Sequence, residues 1–452
     1  MSTNEPAPRR TPSPAPSNPW AGRLLAAGLL VIATLTAYHN SFGGPFIFDD
    51  PPSIADNPSI RRLSTAFSPP QAGSPEGGQT VSGRPLVNLS LALNYAIGGT
   101  RVRGYHVVNL AIHLLAVLAL FGIVRRTLLQ PVFRNRYEAS ATLLALTAAL
   151  IWAVHPLQTE AIDYVVQRAE SLMGLCYLLT LYAFIRGAEP GAAAYWPGLA
   201  FAACLAGMAA KEVMVSAPLM ILLYDRTFIS GSFSRAWREH WRQYAGLGST
   251  WLLLGWLVLD NGTRDGTAGF GIGITWHAYA LAQLPAIAHY LRLAIWPFPL
   301  VLDYGGSVLE PGMGQMVSSA LVVLTLLALT VMSLRYRPVL GFLGCWFFGI
   351  LAPTSSVVPL ADTLFEHRMY LPLAAIIVLG VTGLHEALGR RGLIGLAGLA
   401  MGLVMLTTER NRDYRSARAI WQDTVAKRPG NARAHNNLGT FLLTENRLDE
   451  AT

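Results

Sequence analysis

Of the 452 residues, 52% are hydrophobic and only 13% charged, which excludes a soluble globular class and reads as a polytopic membrane protein. The formal net charge of +8 sits largely in short arginine clusters between apolar runs, so it points to anionic lipid and gives no reason to invoke nucleic acid. Cys176, Cys204 and Cys345 lie inside apolar stretches without metal-ligand or disulfide spacing and read as packing residues.

In chain order, residues 1–21 are rich in Pro, Ser and Thr, carry Arg9 and Arg10, and are expected to form a disordered cytoplasmic tail. The apolar segment from Arg23 to Tyr38 has no convincing cleavage site before Phe42 and reads as an uncleaved signal anchor. It is followed at once by Phe48-Asp49-Asp50, two carboxylates at the edge of a span, where charge is costly and usually functional. Residues 40–104 are expected to form the first extracytoplasmic loop. Its Pro- and Gly-rich middle, Ser68 to Gly83, either orders around an acceptor or donor or simply connects short surface helices. Helical apolar runs then recur, near 22–39, 105–124, 140–155, 171–186, 195–210, 213–225, 245–259, 316–334, 338–353, 369–388 and 392–408, predicting an all-α bundle of about eleven spans.

Arginines mark the loops that stay inside. Arg125, Arg126, Arg134 and Arg136 form one cluster; Arg226, Arg235, Arg238 and Arg242 a second; Arg335 with Arg337 and Arg390 with Arg391 complete the set. A crossing at 277–297 would put Arg335 and Arg337 outside. That stretch, with His277, His289, Arg292 and flanking tryptophans, is therefore expected as an interfacial or re-entrant helix.

The remaining polar residues fall on the opposite side: Asp49, Asp50, Arg84, His155, Glu160, Asp163, Arg168, Glu170, Lys211, Glu212, Glu366, His367 and Arg368. Such segregation is what one site at the extracytoplasmic surface would produce. Each residue also has a plainer reading. The Asp pair would suit a solvated helix end, Arg168 and Glu170 a local ion pair, Lys211-Glu212 a hairpin apex, and His155 before Pro156 a helix end with a satisfied ring. No spacing marks a metal site.

At the C-terminus, Ala417-x3-Trp421, Pro429, His435-x2-Leu438-Gly439-x2-Leu442 and Ala451 follow the roughly 34-residue period of tetratricopeptide helices, with Ala417 and Ala451 one period apart. Residues 409–452 are thus expected as an extracytoplasmic repeat stub.

Taken in order, Phe48-Asp49-Asp50, Arg84-Pro85-Leu86, Leu93-Asn94-Tyr95, Tyr105-His106-x2-Asn109-x3-His113, His155-Pro156-x2-Thr159-Glu160-Ala161, Arg168-Ala169-Glu170, Lys211-Glu212, Glu366-His367-Arg368-x-Tyr370-Leu371-Pro372 and the terminal repeats carry a resemblance. Together they resemble the transmembrane and tetratricopeptide repeat-containing family, which is similar to protein O-mannosyltransferases of the GT-C fold. The resemblance covers nearly all of residues 22–452 and implies a GT-C-like domain over 22–408, a polyprenyl- or dolichyl-phosphate sugar donor, mannose as the sugar, and Ser/Thr acceptors on secreted or envelope proteins. It also makes a bacterial inner-membrane member the expected setting, with the N-terminus cytoplasmic and the acceptor held by the repeats.

The residues suit such chemistry. A hydroxyl nucleophile needs a base, expected as Asp49 with Asp50 beside it. The leaving lipid phosphate needs cations rather than a proton, expected as Arg84, Arg168, Lys211 and Arg368. His155, Glu160, Glu170, Glu212, Glu366 and Tyr370 would orient the substrate or those cations. One base and a pre-activated donor imply inversion. The Asp pair is compatible with a divalent metal, but nothing requires one; the sugar-carrying lipid phosphate is the co-substrate. Other readings compete: a GT-C transferase acting on an envelope glycan or lipid, a membrane scaffold built on the repeat helices and, third, a transporter, which would need mid-span charges or paired broken helices that the sequence does not clearly show. Loss of residues 410–452 is expected to disable a scaffold while leaving a transferase some donor turnover.

Overall fold

The computed structural model describes residues 19–71, 80–262, 266–305 and 312–445. Most of the expected tail, part of the expected loop middle and Ala451 of the repeat pattern lie outside the described residues.

Sixteen α-helices carry the described chain: α1 Pro19–Ala37, α2 Pro85–Gly98, α3 Val102–Leu128, α4 Ala141–Ala153, α5 Thr159–Asp163, α6 Arg168–Gly187, α7 Trp196–Met208, α8 Ala217–Tyr224, α9 Phe233–Asn261, α10 Trp276–Ile295, α11 Met313–Tyr336, α12 Pro338–Leu351, α13 Pro372–Leu388, α14 Arg390–Asp413, α15 Ala417–Lys427 and α16 Ala432–Thr444. No strand forms among the described residues, and the all-helical expectation holds. Backbone groups satisfied within each segment are what a lipid environment demands.

Five helices, α1, α3, α6 with its leading turn, α11 and α14, are long and apolar enough to cross a membrane. The pair Ala141–Ala153 and Pro156–Asp163, bent by 56°, makes a sixth if it counts as one span. The bend falls at His155-Pro156, since proline disfavours helix in the residue before it. If the shorter apolar helices α7, α12 and α13 cross as well the count reaches nine, and the expected eleven would also need α8 and α9 to cross. The segment expected as interfacial is α10, an unbroken helix of 20 residues despite Pro285, and it is not among the helices apolar enough to cross.

The arginine clusters, far apart in sequence, meet at one end of the bundle. Arg136 pairs with Glu386 at the end of α13, just before Arg390 and Arg391, and Arg226 donates to the Leu334 carbonyl at the end of α11 at 2.9 Å. At the other end, α15 and α16 form a hairpin docked on the bundle. Arg410 at the end of α14 bonds Asp413 at 2.9 Å and Asp423 of α15 at 2.8 Å; Lys427 donates to the Leu300 carbonyl at 2.9 Å; and Asn431 donates to the Asp303 carbonyl at 3.0 Å. Buried Ile420, Trp421 and Ala434 join the main core, so the hairpin shares its packing with the bundle.

Candidate active site

A cavity of about 560 Å³ opens at the end of the bundle away from the arginine clusters, within the size range of small-ligand sites. Segments distant in sequence line it: the turn after α1 with Asp49, the approach to α2 with Thr80 and Arg84, the α5–α6 turn with Gln167, the α7–α8 link with Lys211 and Glu212, the end of α9 with Asn261, and the loop after α12 with Asp362, His367 and Arg368.

Asp49 is held by its backbone and its side chain. Its amide donates to the Tyr164 hydroxyl at 2.9 Å, and its Oδ2 accepts from the Thr80 hydroxyl at 3.0 Å. The turn itself is fixed by Asp50, whose Oδ2 accepts from the Ile47 amide at 3.0 Å and whose Oδ1 accepts from the Val166 amide at 2.7 Å. Phe48 between them has φ 49°, a left-handed conformation that costs a bulky residue roughly 1–3 kcal/mol and persists only where the surroundings impose it. Burial pushes the Asp49 carboxyl above the usual carboxylate range, and hydrogen bonds from Thr80 and Tyr164 only partly offset it.

Three cations border the cavity. Arg84, the residue before Pro85 at the start of α2, donates to the Thr80 carbonyl at 2.8 Å and pairs with Glu212 at 3.3 Å. Thr80 thus bridges carboxylate and guanidinium, its hydroxyl on Asp49 and its carbonyl on Arg84. Lys211, in an extended break after α7, pairs with buried Glu170 at 2.6 Å. Burial lowers Lys211 to about 8 despite Glu170, and lowers Arg84 to about 10 despite Glu170 and Asp49. Arg368 donates to the carbonyls of Thr354, Thr363 and Asp362 at 3.2, 2.9 and 2.6 Å, gathering the loop around its guanidinium.

Other expected site residues lie elsewhere. Asp50 is fully buried and its two oxygens serve the turn, so it does not face the cavity. Arg168 is fully buried as well. Its guanidinium donates to Asn109 Oδ1 at 2.6 Å, the Ser90 carbonyl at 3.1 Å and the Tyr105 carbonyl at 3.0 Å, tying α6 to α2 and α3 and leaving it no reach to a phosphate in the cavity. Its expected ion pair with Glu170 is not formed, because Glu170 takes Lys211 instead. Glu160 stands behind the cavity wall and receives His367 through both ring Nδ1 at 2.9 Å and backbone amide at 2.8 Å. Burial, with Lys211 nearby, holds the His367 ring well below its ordinary pKa. Glu366 Oε1 accepts from the Val301 amide and the Tyr304 hydroxyl, both at 2.6 Å. His155 accepts from the Leu157 amide at 3.2 Å, and Tyr370 bonds His113 through its hydroxyl at 2.9 Å and accepts from Trp152 through its carbonyl at 2.8 Å. Asp50, His155, Glu160, Arg168, Glu366 and Tyr370 do not line the cavity, whereas His367 does.

Sequence reasoning left out Thr80, Gln167, Asn261 and Asp362 as lining residues. Thr80 lies in a stretch without periodicity, and neutral side chains at helix ends carry no charge signal. Asp362 alone had one, an acid four residues before Glu366 on the same face. No three His, Cys, Asp or Glu side chains gather in a metal-binding group among the described residues.

The chain is similar to proteins named protein O-mannosyl-transferase. It is 35% identical to Tmtc2 of Drosophila melanogaster over 199 residues, covering 42% of this chain and 20% of that protein. It is 25% identical to TMTC1 of Homo sapiens over 487 residues, covering 94% of this chain and 54% of that protein, and 25% identical to Tmtc3 of Drosophila melanogaster, covering 93% and 53%. The resemblance read from the motifs is therefore matched by relatives along nearly the whole chain, which spans about half the length of the curated relatives it matches. No family model matches. Among solved structures, ArnT from Cupriavidus metallidurans bound to undecaprenyl phosphate aligns with a TM-score of 0.47 at 15% identity, covering 96% of this chain and 74% of that one.

Proposed function

We propose that this chain is an integral-membrane glycosyltransferase of the GT-C type that moves a sugar, mannose, from a polyprenyl-phosphate donor to Ser or Thr hydroxyls of secreted or envelope proteins, with inversion. In this reading residues 22–408 are the transferase, 409–452 begin a tetratricopeptide array that meets the acceptor, and the cavity faces the extracytoplasmic side of a bacterial inner membrane. The observation that carries it is the meeting, in one cavity, of Asp49 with three cations, Arg84, Lys211 and Arg368, while the other two carboxylates lining it, Glu212 and Asp362, are ion-paired to Arg84 and Arg433. The relatives' shared name supplies the sugar and the class of acceptor.

The acceptor hydroxyl gives its proton to Asp49 as its oxygen attacks the anomeric carbon. The bond from that carbon to the donor phosphate breaks, its electron pair leaving with the lipid monophosphate. A carboxylate with a raised pKa is the better proton acceptor, and a positioned base contributes on the order of 10²–10⁴-fold. The cations take up the charge that develops on the phosphate, and water exclusion around them strengthens that effect.

Glycosyl transfer in proteoliposomes tests the reading, with polyprenyl-phosphate mannose and a pool of envelope proteins, products being read by mass spectrometry. Asp49→Asn is expected to lower kcat by about 10²-fold or more while the donor still binds. Transfer retained in the variant would remove Asp49 as the base; no transfer by folded wild type would remove this donor and acceptor pair.

A further inference from the structure

Phe48, the residue before the proposed base, is held in its left-handed conformation from three sides. Tyr164 lies 6.1 Å from its ring centroid at a tilt of 33°, Trp421 meets it edge-on at 5.4 Å and 86°, and the Arg433 guanidinium carbon sits 5.4 Å from the centroid. Tyr164 belongs to the bundle and also receives the Asp49 amide. Trp421 and Arg433 belong to the C-terminal hairpin, nearly 400 residues away in sequence.

Arg433 is fixed in turn by two acids. It bonds Asp303 in bidentate fashion, Nε to Oδ2 at 2.7 Å and Nη2 to Oδ1 at 2.6 Å, and its Nη2 also reaches Asp362 Oδ1 at 2.6 Å. Asp362 lines the cavity, and its carbonyl accepts from Arg368. One guanidinium therefore contacts both the ring beside Asp49 and the loop that carries Arg368. Asp303 is itself held to the hairpin a second time, its carbonyl accepting from Asn431. A guanidinium fixed by a bidentate carboxylate and laid against an aromatic ring is a rigid arrangement, since its planar fork has little freedom left.

We infer that Arg433 and Trp421 are positioning residues for Asp49, so that the first hairpin beyond the bundle completes the active site in addition to leading toward any acceptor-binding repeats. The hairpin acts through Phe48: it holds a conformation the residue would not keep alone, and so sets where the neighbouring carboxylate points. This rests on the reading of Asp49 as the base.

The test uses the full chain in proteoliposomes and compares Arg433→Gln, Arg433→Lys and Trp421→Phe with wild type. Kinetics with polyprenyl-phosphate mannose are measured alongside hydrogen exchange of the peptide covering residues 43–56. Arg433→Gln is expected to lower kcat by about 10²-fold with little change in the donor KM, because a displacement of about 1 Å at the reacting group costs that much. Arg433→Lys, which keeps a cation near the ring, is expected to restore part of the rate, and Trp421→Phe most of it. Exchange at 46–50 is expected to quicken about tenfold in Arg433→Gln while α2 and α6 stay protected. An unchanged kcat, or a rise confined to the acceptor KM, would overturn the inference and leave the hairpin as an acceptor holder alone. Should Arg433→Gln not fold, Phe48→Leu carries the same kinetic comparison, because it removes the ring that the hairpin grips. If wild type transfers no sugar, the functional reading fails by itself; faster exchange at 46–50 in Arg433→Gln would still support the positioning, and unchanged exchange would overturn it.

Discussion

Asp49 and Lys211 have opposite requirements in the proposed reaction, and their surroundings move both toward neutrality. Asp49 must be deprotonated to act as a base; its raised pKa means that activity falls as pH drops through a value above the ordinary carboxylate range. Lys211 must be protonated to hold a phosphate; lowered to about 8, it loses that charge as pH rises through this value. The rate is expected to be bell-shaped, with the alkaline limb appearing chiefly in the donor KM, and a pH series of kcat and KM checks it. Lys211→Met, which keeps the alkaline limb off the profile, also leaves Glu170 buried without its partner, so a stability loss of about 3–5 kcal/mol is expected. Lys211→Met with Glu170→Leu is expected to recover most of that stability without recovering donor affinity, which thermal melting in detergent and a donor titration separate. If donor affinity returned, Lys211 would be a support for Glu170 and not a phosphate ligand. At this scale the sequence was informative about residue type and much less about role. Asp49, Arg84, Lys211 and Arg368 line the cavity, whereas Asp50 and Arg168, equally charged and equally close to apolar runs, spend their hydrogen-bonding capacity on the fold.

Among the elements, the helices were legible because their apolar runs are long, and the breaks because proline or a polar pair interrupts them, as at His155-Pro156 and Lys211. The hairpin of α15 and α16 was legible from its alanine, tryptophan and proline spacing, but where it docks was not. Its contacts with Asp303, Asp362 and Phe48 change what a truncation means. Removal of residues 410–452 takes away Arg410, Trp421 and Arg433 together, and is expected to abolish sugar transfer as well as lower the melting temperature. A truncated chain that melts like wild type and keeps full donor turnover would argue against this coupling. Loss of transfer on truncation therefore does not separate a transferase from a scaffold, contrary to the expectation from sequence; Asp49→Asn in the full chain does.

For the whole molecule, the separation of arginine clusters at one end from the cavity at the other predicts a single orientation across the bilayer. Cysteines placed at exposed Arg134 and exposed Arg62, in a chain whose three native cysteines are replaced, are expected to react with an impermeant maleimide from opposite sides, Arg134→Cys from the cytoplasm. Labelling of both from one side would sink the topology. The sequence by itself determined the helical class, the two polar faces and, Asp362 excepted, the charged residues that line the cavity, because lipid forces backbone bonding within helices and makes retained charge conspicuous. Only the tertiary structure decided which of those charges face the cavity and which are turned inward, and that α15 and α16 reach the residue beside Asp49. Those outcomes depend on which donors and acceptors meet across hundreds of residues, and a buried polar group settles on whichever partner the packing brings within hydrogen-bond reach.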